Sequence, residues 1–220
     1  MGLSVGILGG TGPAGKGLAT RLASVGVEVV VGSRSPDRAE EACSSVVERW
    51  PGRRLRLEPG DNAAAADAEL VVVATPWEAA ASTAASLAEH LDGKVVVSMA
   101  NALTRLEEGF QALVPPRGSV AAHVQTAVSG ARVAAAMHHL PARSLAQIDM
   151  PVDSDVLVCS DNRSAWEATA ELIGLVPGLR PLDAGTLSNA GPVEALTAVL
   201  LHLNSRYHTR ASVRFTGIDV

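Results

Sequence analysis

The chain is predicted to be an α/β protein: a doubly wound, Rossmann-type and mostly parallel sheet with a small C-terminal helical part. Three observations carry that prediction. Short apolar runs recur along the sequence, segments with helical spacing separate them, and a glycine-rich turn follows the first run. Parallel neighbours need crossovers that cover both faces of a sheet, so strands alternating with helices imply this class.

LSVGILG is short and apolar enough for a central strand, and GPAGKGLATRLASVG then sets Leu18, Leu22 and Val25 at helical intervals. VEVVVG follows as a second strand. SPDRAEEACSSVVERW reads as a helix with Ser35 at its N-cap, Pro36 at its first position and acids in its first turn. PGRRLRLEPG holds a short edge-like strand, and Asp61 can cap a brief alanine-rich helix. ELVVVAT is a strand, PWEAAASTAASLAEHL a helix, and KVVVSMAN a fifth strand. A helix is expected near 119–128, and ARVAAAMHH, DVLVCS and LRPLDAG extend the sheet, with SAWEATAELIGLV as a helix between the last two. Residues 1–185 form the expected nucleotide-binding unit, and 186–220 the small helical segment.

With 220 residues, 47% hydrophobic and 19% charged, the chain can bury a substantial core. A net charge of -5 gives no global basic field, which argues against nucleic-acid and anionic-membrane partners. The first apolar run is soon broken by glycine and lacks a basic leader, and no long uncharged apolar stretch follows, so a cytoplasmic location is expected. Cys43 and Cys159 lie far apart and read as two buried thiols.

Gly10, Gly12 and Gly15 make G-T-G-P-A-G between a strand and a helix, which matches the dinucleotide fingerprint in its proper context. In that pattern Gly10 permits the tight turn, Gly12 lets the backbone approach a pyrophosphate and Gly15 allows close packing, while the helix start offers free amides. An NAD site would place an acid at the end of the second strand. Ser33 and Arg34 stand there instead, and a guanidinium grips a 2′-phosphate that a carboxylate would repel. The expected cofactor is therefore NADP. Arg38 lies one helical turn further on and can face the same phosphate, or pair with Glu41.

Ligands of open α/β sheets bind at the carboxyl ends of strands. The segments after strands four and five are Thr75-Pro76-Trp77 and Ser98-Met99-Ala100-Asn101. Pro76 stiffens a turn, and Trp77 offers either a wall beside the nicotinamide or core filling. Asn101 can reach a ligand or close the strand end. His138-His139 lacks companions at metal-ligand spacing, so no metal is expected, and one of the pair can face a second substrate. No triad or Walker motif is present, which suits hydride transfer achieved by positioning.

GGTGPAGKGLATRLASVGVEVVVGSRSPDRA, TPWEAA, MHHLPA and GLRPLDAGTLSNAGPVEALT together give a sequence that resembles the NADPH-dependent reductases of the deazaflavin coenzyme F420 along nearly its whole length. The resemblance implies a homodimer that moves a hydride between nicotinamide C4 and deazaflavin C5. It would set Thr11, Gly12, Pro13 and Ala14 along the pyrophosphate, Ser33, Arg34 and Arg38 around the 2′-phosphate, Pro76 and Trp77 near the nicotinamide, and His138 against the deazaflavin. One departure follows the fifth strand: where the family usually carries asparagine-proline or serine-proline, this chain has Ser98-Met99-Ala100-Asn101-Ala102. Two other readings stay open, an NADPH-dependent reductase of a flavin, imine or small ketone, and a redox sensor that binds NADP without turnover.

Overall fold

A computed structural model describes residues 2–218. Met1, Asp219 and Val220, the outermost residues of the two expected segments, lie outside the described residues. The chain runs through β1 (Ser4–Leu8), α1 (Pro13–Ser24), β2 (Glu28–Ser33), α2 (Pro36–Arg49), β3 (Leu57–Asp61), α3 (Asn62–Ala66), β4 (Leu70–Val73), α4 (Trp77–Ala85), α5 (Ala88–Leu91) and β5 (Val95–Ser98). A hairpin of β6 (Leu103–Leu106) and β7 (Gly109–Ala112) follows, then α6 (Val120–Ala127), β8 (Arg132–Ala135), α7 (Ala142–Leu145), β9 (Ser154–Ser160), α8 (Arg163–Gly174), β10 (Leu179–Asp183) and α9 (Ala190–Tyr207).

Eight strands form one sheet in the order β10-β9-β8-β5-β4-β1-β2-β3. From β3 to β8 every pairing is parallel; β9 runs antiparallel to β8 through Ala134↔Ser160 and Ala135↔Cys159, and β10 pairs parallel with β9, so these two outer strands are both reversed. The apolar runs become central strands because alternate residues serve opposite faces. Ile7, Val29, Val72 and Val97 meet Leu18 and Leu22 of α1, Cys43 of α2 and Leu145 of α7. Leu8, Val71, Val73 and Val96 meet α3, α4, α6 and α9 on the other face. Residues from 186 onward share that second core, through Leu187, Ala190 and Val193.

Small residues let the layers approach. A Cβ on Gly6 would sit 1.7 Å from the Ala65 carbonyl oxygen, so α3 lies directly on β1. Asp61 caps that helix through the Ala64 amide at 2.8 Å, as its sequence position suggested.

Several local expectations change. Ser35 occupies the N-cap of α2 but its hydroxyl makes no capping bond; its own amide donates to Ser33 Oγ at 3.2 Å. The helix expected from 76 to 91 is two, because Leu87 adopts φ -120° between α4 and α5. Val25 ends α1 as its C-cap and, half-buried, packs against the same core as Leu18 and Leu22. The β6–β7 hairpin is an addition that the sequence pattern did not announce. Both cysteines are buried and free, and burial pushes each thiol up to about 11.

Candidate active site

The carboxyl ends of β1, β2, β4, β5 and β8 share one edge of the sheet, and the fingerprint turn crosses it. Gly10 donates to the Ile7 carbonyl at 3.1 Å and to the Gly32 carbonyl at 2.9 Å, which ties the turn to the end of β2. The Gly9 amide donates to Asn62 Oδ1 at 3.3 Å, a tether 53 residues away in sequence. The three fingerprint glycines differ in what surrounds them. A Cβ on Gly15 would lie 2.8 Å from Gly10 Cα, whereas one on Gly12 would meet nothing nearer than the Gly9 carbonyl oxygen at 3.7 Å. Gly15 is therefore demanded by the protein's own packing, and the face of Gly12 lies open. Pro13 starts α1 without an amide, leaving the first-turn amides of Ala14 and Gly15 beyond the reach of any helical carbonyl.

Ser33 is buried at the end of β2, its oxygen accepting from the Ser35 amide. Arg34 and Arg38 are exposed. Neither makes an ion pair among the described residues, so Arg38 does not bond Glu41, although both border one cavity with Thr11 and Lys16.

The other half of the edge is more enclosed, with Ser98 and His138 buried and Thr75 and Trp77 half-buried. Thr75 Oγ1, Trp77 Nε1, Ser98 Oγ and both ring nitrogens of His138 are covered and make no well-formed hydrogen bond, although the Ala136 and Ser98 carbonyls lie close enough to the His138 ring to favour its protonated form. Trp77 also leans on the second core, so it serves packing while keeping its N–H unspent. Ala136 donates to the Ser98 carbonyl at 3.1 Å and carries the chain past β5. Met137 then adopts φ 64°, a left-handed conformation that costs an unbranched, non-glycine residue and must be held by its surroundings. The hold is visible. Asn101 Nδ2 donates to the His138 carbonyl at 2.9 Å, and Thr197 Oγ1 of α9 lies 3.2 Å from both that carbonyl and Asn101 Oδ1.

The two histidines, equivalent in sequence, separate here. His139 uses Nε2 on the Asp155 carbonyl at 2.8 Å and anchors the loop to β9, while the His138 ring meets it edge-on at 5.6 Å between centroids. Burial, then the neighbouring His139, drives His138 down to about 3 against the opposing pull of the Ala136 and Ser98 carbonyls. His138 is accordingly a neutral imidazole at neutral pH, able to donate from one nitrogen and accept at the other. Burial is also the main cause that lowers His139. Among the described residues no group of three His, Cys, Asp or Glu could hold a metal ion.

Asn62 and Thr197 escaped the sequence reading. Both act across long sequence separations on backbone groups, and neither belongs to a short motif. Glu194 escaped too. It is buried on α9, accepts the Val120 and Ala121 amides at 2.9 and 3.1 Å, and caps α6 from outside.

A glycine turn at the head of a doubly wound sheet, with a basic site where an acid would read NAD, defines a dinucleotide-binding oxidoreductase of the NADP class. Residues 4–102 match the family model described as NADP oxidoreductase, coenzyme F420-dependent. The chain is 34% identical over 226 residues to the F420-dependent NADP reductase of Methanocaldococcus jannaschii, covering 99% of this chain and 100% of that protein. It is 35% identical to the F420-dependent NADP reductase of Methanothermobacter thermautotrophicus, over 98% of this chain and 96% of that one. The chain belongs to the F420-dependent NADP reductase family. Its fold is shared by a crystal structure from Arthrobacter sp. FB24, with TM-score 0.74, 24% identity and coverage of 98% and 100% of the two chains.

Proposed function

We propose that this protein exchanges a hydride between NADP(H) and the deazaflavin coenzyme F420. The observation that carries the reading is the acid-free, basic end of β2 beside an open glycine turn, joined at the same sheet edge by buried polar atoms on Thr75, Trp77, Ser98 and His138 that lack partners, as atoms on Trp50, His139 and Trp166 also do. A protein interior rarely leaves such atoms without partners, so those at the carboxyl edge of the sheet are free to meet a polar ligand. When bound, the nicotinamide of NADPH supplies the hydride and the deazaflavin accepts it together with a proton.

The residues divide the work. Arg34 and Arg38 hold the 2′-phosphate, and the Ser33 hydroxyl keeps a hydrogen to donate beside them. Thr11, Gly12, Pro13, Ala14 and Gly15 cradle the pyrophosphate with main-chain amides at the positive end of α1. Thr75, Pro76 and Trp77 wall off water at the nicotinamide, and Ser98 offers its hydroxyl next to them. His138 orients the deazaflavin by hydrogen bonding. It does not store a proton, since its basicity is too low. Asn101 belongs to the site as a positioning residue that fixes the His138 backbone, so most of the acceleration comes from alignment of the two rings.

No described helix is long and apolar enough to cross a membrane, and the reading extends to a cytoplasmic protein that uses small-molecule cofactors without nucleic acid. The assembly we propose is a homodimer. Leu106 at 52% exposure, Phe110 at 42% and Val114 at 85% form or follow the β6–β7 hairpin, and Val199 at 54% lies on α9, giving an apolar surface suited to a second copy.

Mixing the protein with NADPH and oxidised F420 and following the deazaflavin absorbance tests the activity. Bleaching at a catalytic rate is expected. NADPH oxidation only with a flavin, imine or ketone would move the assignment to another acceptor, and tight NADPH binding without turnover on any of these would make the protein a sensor.

A further inference from the structure

Around the start of α1 the surface carries a run of cations that the site described above does not use. A cavity of about 320 Å³ is bordered by Lys16, Arg49, Arg143 and Arg210, together with Pro13 and Gln147, and by no carboxylate. Four positive side chains facing one hollow stand out on a chain whose net charge is -5. They come from separate parts of the fold. Lys16 lies in the second turn of α1, Arg49 ends α2, Arg143 sits on α7 and Arg210 follows α9. Such convergence is a product of the tertiary structure and not of a basic stretch in the sequence.

Three of the four are unspent. Lys16, Arg143 and Arg210 make no ion pair among the described residues. Arg49 gives one N–H to Gln147 Oε1 at 3.1 Å and rests over the Trp50 ring. Like charges gathered without counter-charges repel one another, a cost that an incoming anion removes. Guanidinium forks suit carboxylates and phosphodiesters in particular.

The cavity borders the fingerprint turn through Pro13, and Ala142, another of its lining residues, follows His138 by four positions in the chain. A ligand whose ring sits at His138 can therefore extend an anionic chain past Pro141 into the hollow. NADP is expected to run the other way, toward Arg34.

We propose that Lys16, Arg49, Arg143 and Arg210 form a subsite for an extended polyanion, namely the phosphodiester and carboxylate-rich tail that the deazaflavin coenzyme carries beyond its ring system. The proposal rests on the functional reading above. The subsite holds the coenzyme by its tail, adding affinity without touching the reacting atoms, and its contribution falls as salt rises.

Titrations that follow deazaflavin fluorescence test it, with the complete coenzyme and with the tail-less deazaflavin chromophore, at low and high ionic strength. NADPH is titrated separately through its own fluorescence. The variants are Arg143→Glu with Arg210→Glu, and the milder Arg143→Gln with Arg210→Gln. Both positions are exposed, and melting curves verify the fold. Affinity for the complete coenzyme should drop roughly ten- to a hundredfold in the reversed variant and less in the neutral one, with a flatter salt dependence. Affinity for the chromophore and for NADPH should stay unchanged. Undiminished binding of the complete coenzyme by folded variants would overturn the subsite, and a selective loss of NADPH would reassign the cations to the dinucleotide phosphates. If the wild type binds neither the coenzyme nor the chromophore, the functional reading fails first and the subsite goes with it.

Discussion

On the proposed function, the β1–β2 end of the active edge and the β5–β8 end meet their ligands by opposite means. At the first, Arg34 and Arg38 stand in solvent and the main chain of the glycine turn lies open above Gly12. At the second, His138 and Ser98 are buried, and Met137, Asn101 and Thr197 lock the loop that presents them. The difference teaches that the two ends solve different problems. An exposed end can capture a mobile phosphate by charge, because the phosphate brings its own orientation with it. A ring that must lie against another ring needs a preformed wall, and a wall requires packing, backbone strain and long-range hydrogen bonds.

Substitutions should divide along the same line, those at the rigid end costing stability and those at the open end costing affinity. The largest effect is expected at Asp155, which has no exposed surface. It takes Arg180 on both oxygens at 2.7 and 2.8 Å, Arg214 at 2.8 Å and the Phe215 amide at 2.6 Å. Asp155→Asn should lower unfolding stability by about 3–5 kcal/mol and release the tail after α9 to proteases, as measured by denaturant melts and limited proteolysis. Arg180 first, and then the Phe215 amide and Arg214, hold the Asp155 carboxyl well below its ordinary range despite burial. Its stabilisation is therefore complete at neutral pH and is lost only as acid protonates the folded form.

Glu194 should behave in the opposite sense. Burial raises it to about 7 from 4.5, against the pull of the Val120 and Ala121 amides. Between those values the folded chain keeps a proton that the unfolded chain has released, so this group's contribution declines as pH climbs from about 4.5 to about 7. The decline amounts to something on the order of 3 kcal/mol, and Glu194→Gln should flatten it in melting curves recorded across that window.

Arg34→Ala comes next, with an expected loss of about 1.5–3 kcal/mol in NADP binding, a ten- to hundredfold weakening, and no change in melting temperature. NAD binding should hardly move; equal losses for the two nucleotides would show that the open end does not read the phosphate. The smallest effect belongs to Asn101→Ala, which removes one hold on the His138 carbonyl at a cost of about 0.5–1.5 kcal/mol. It should lower kcat more than it raises KM for NADPH, and a purely structural role would leave that ratio unchanged.

The two ends were also unequally legible in the sequence. The glycines, the missing acid and the apolar runs are local features, so the sheet from β1 to β5 and the proposed nucleotide end follow from spacing alone. His138 could be singled out by resemblance, but its separation from His139 depends on the Asp155 carbonyl, which belongs to a strand that reverses direction. The hairpin was invisible because LTRL and GFQA are short and half-exposed, with no apolar alternation to betray them. Arg38 and Glu41 have ideal helical spacing for a pair and do not form one, since spacing permits contact without compelling it.

The unpartnered polar atoms of Thr75, Trp77, Ser98 and His138 carry a consequence for the protein's life in the cell. On the proposed function, each hydride carrier that supplies their missing bonds favours the native chain over its unravelled forms, so a cell well supplied with the two carriers would accumulate more of the protein than its transcript level predicts. Abundance, and not turnover alone, would then follow the supply of the two hydride carriers.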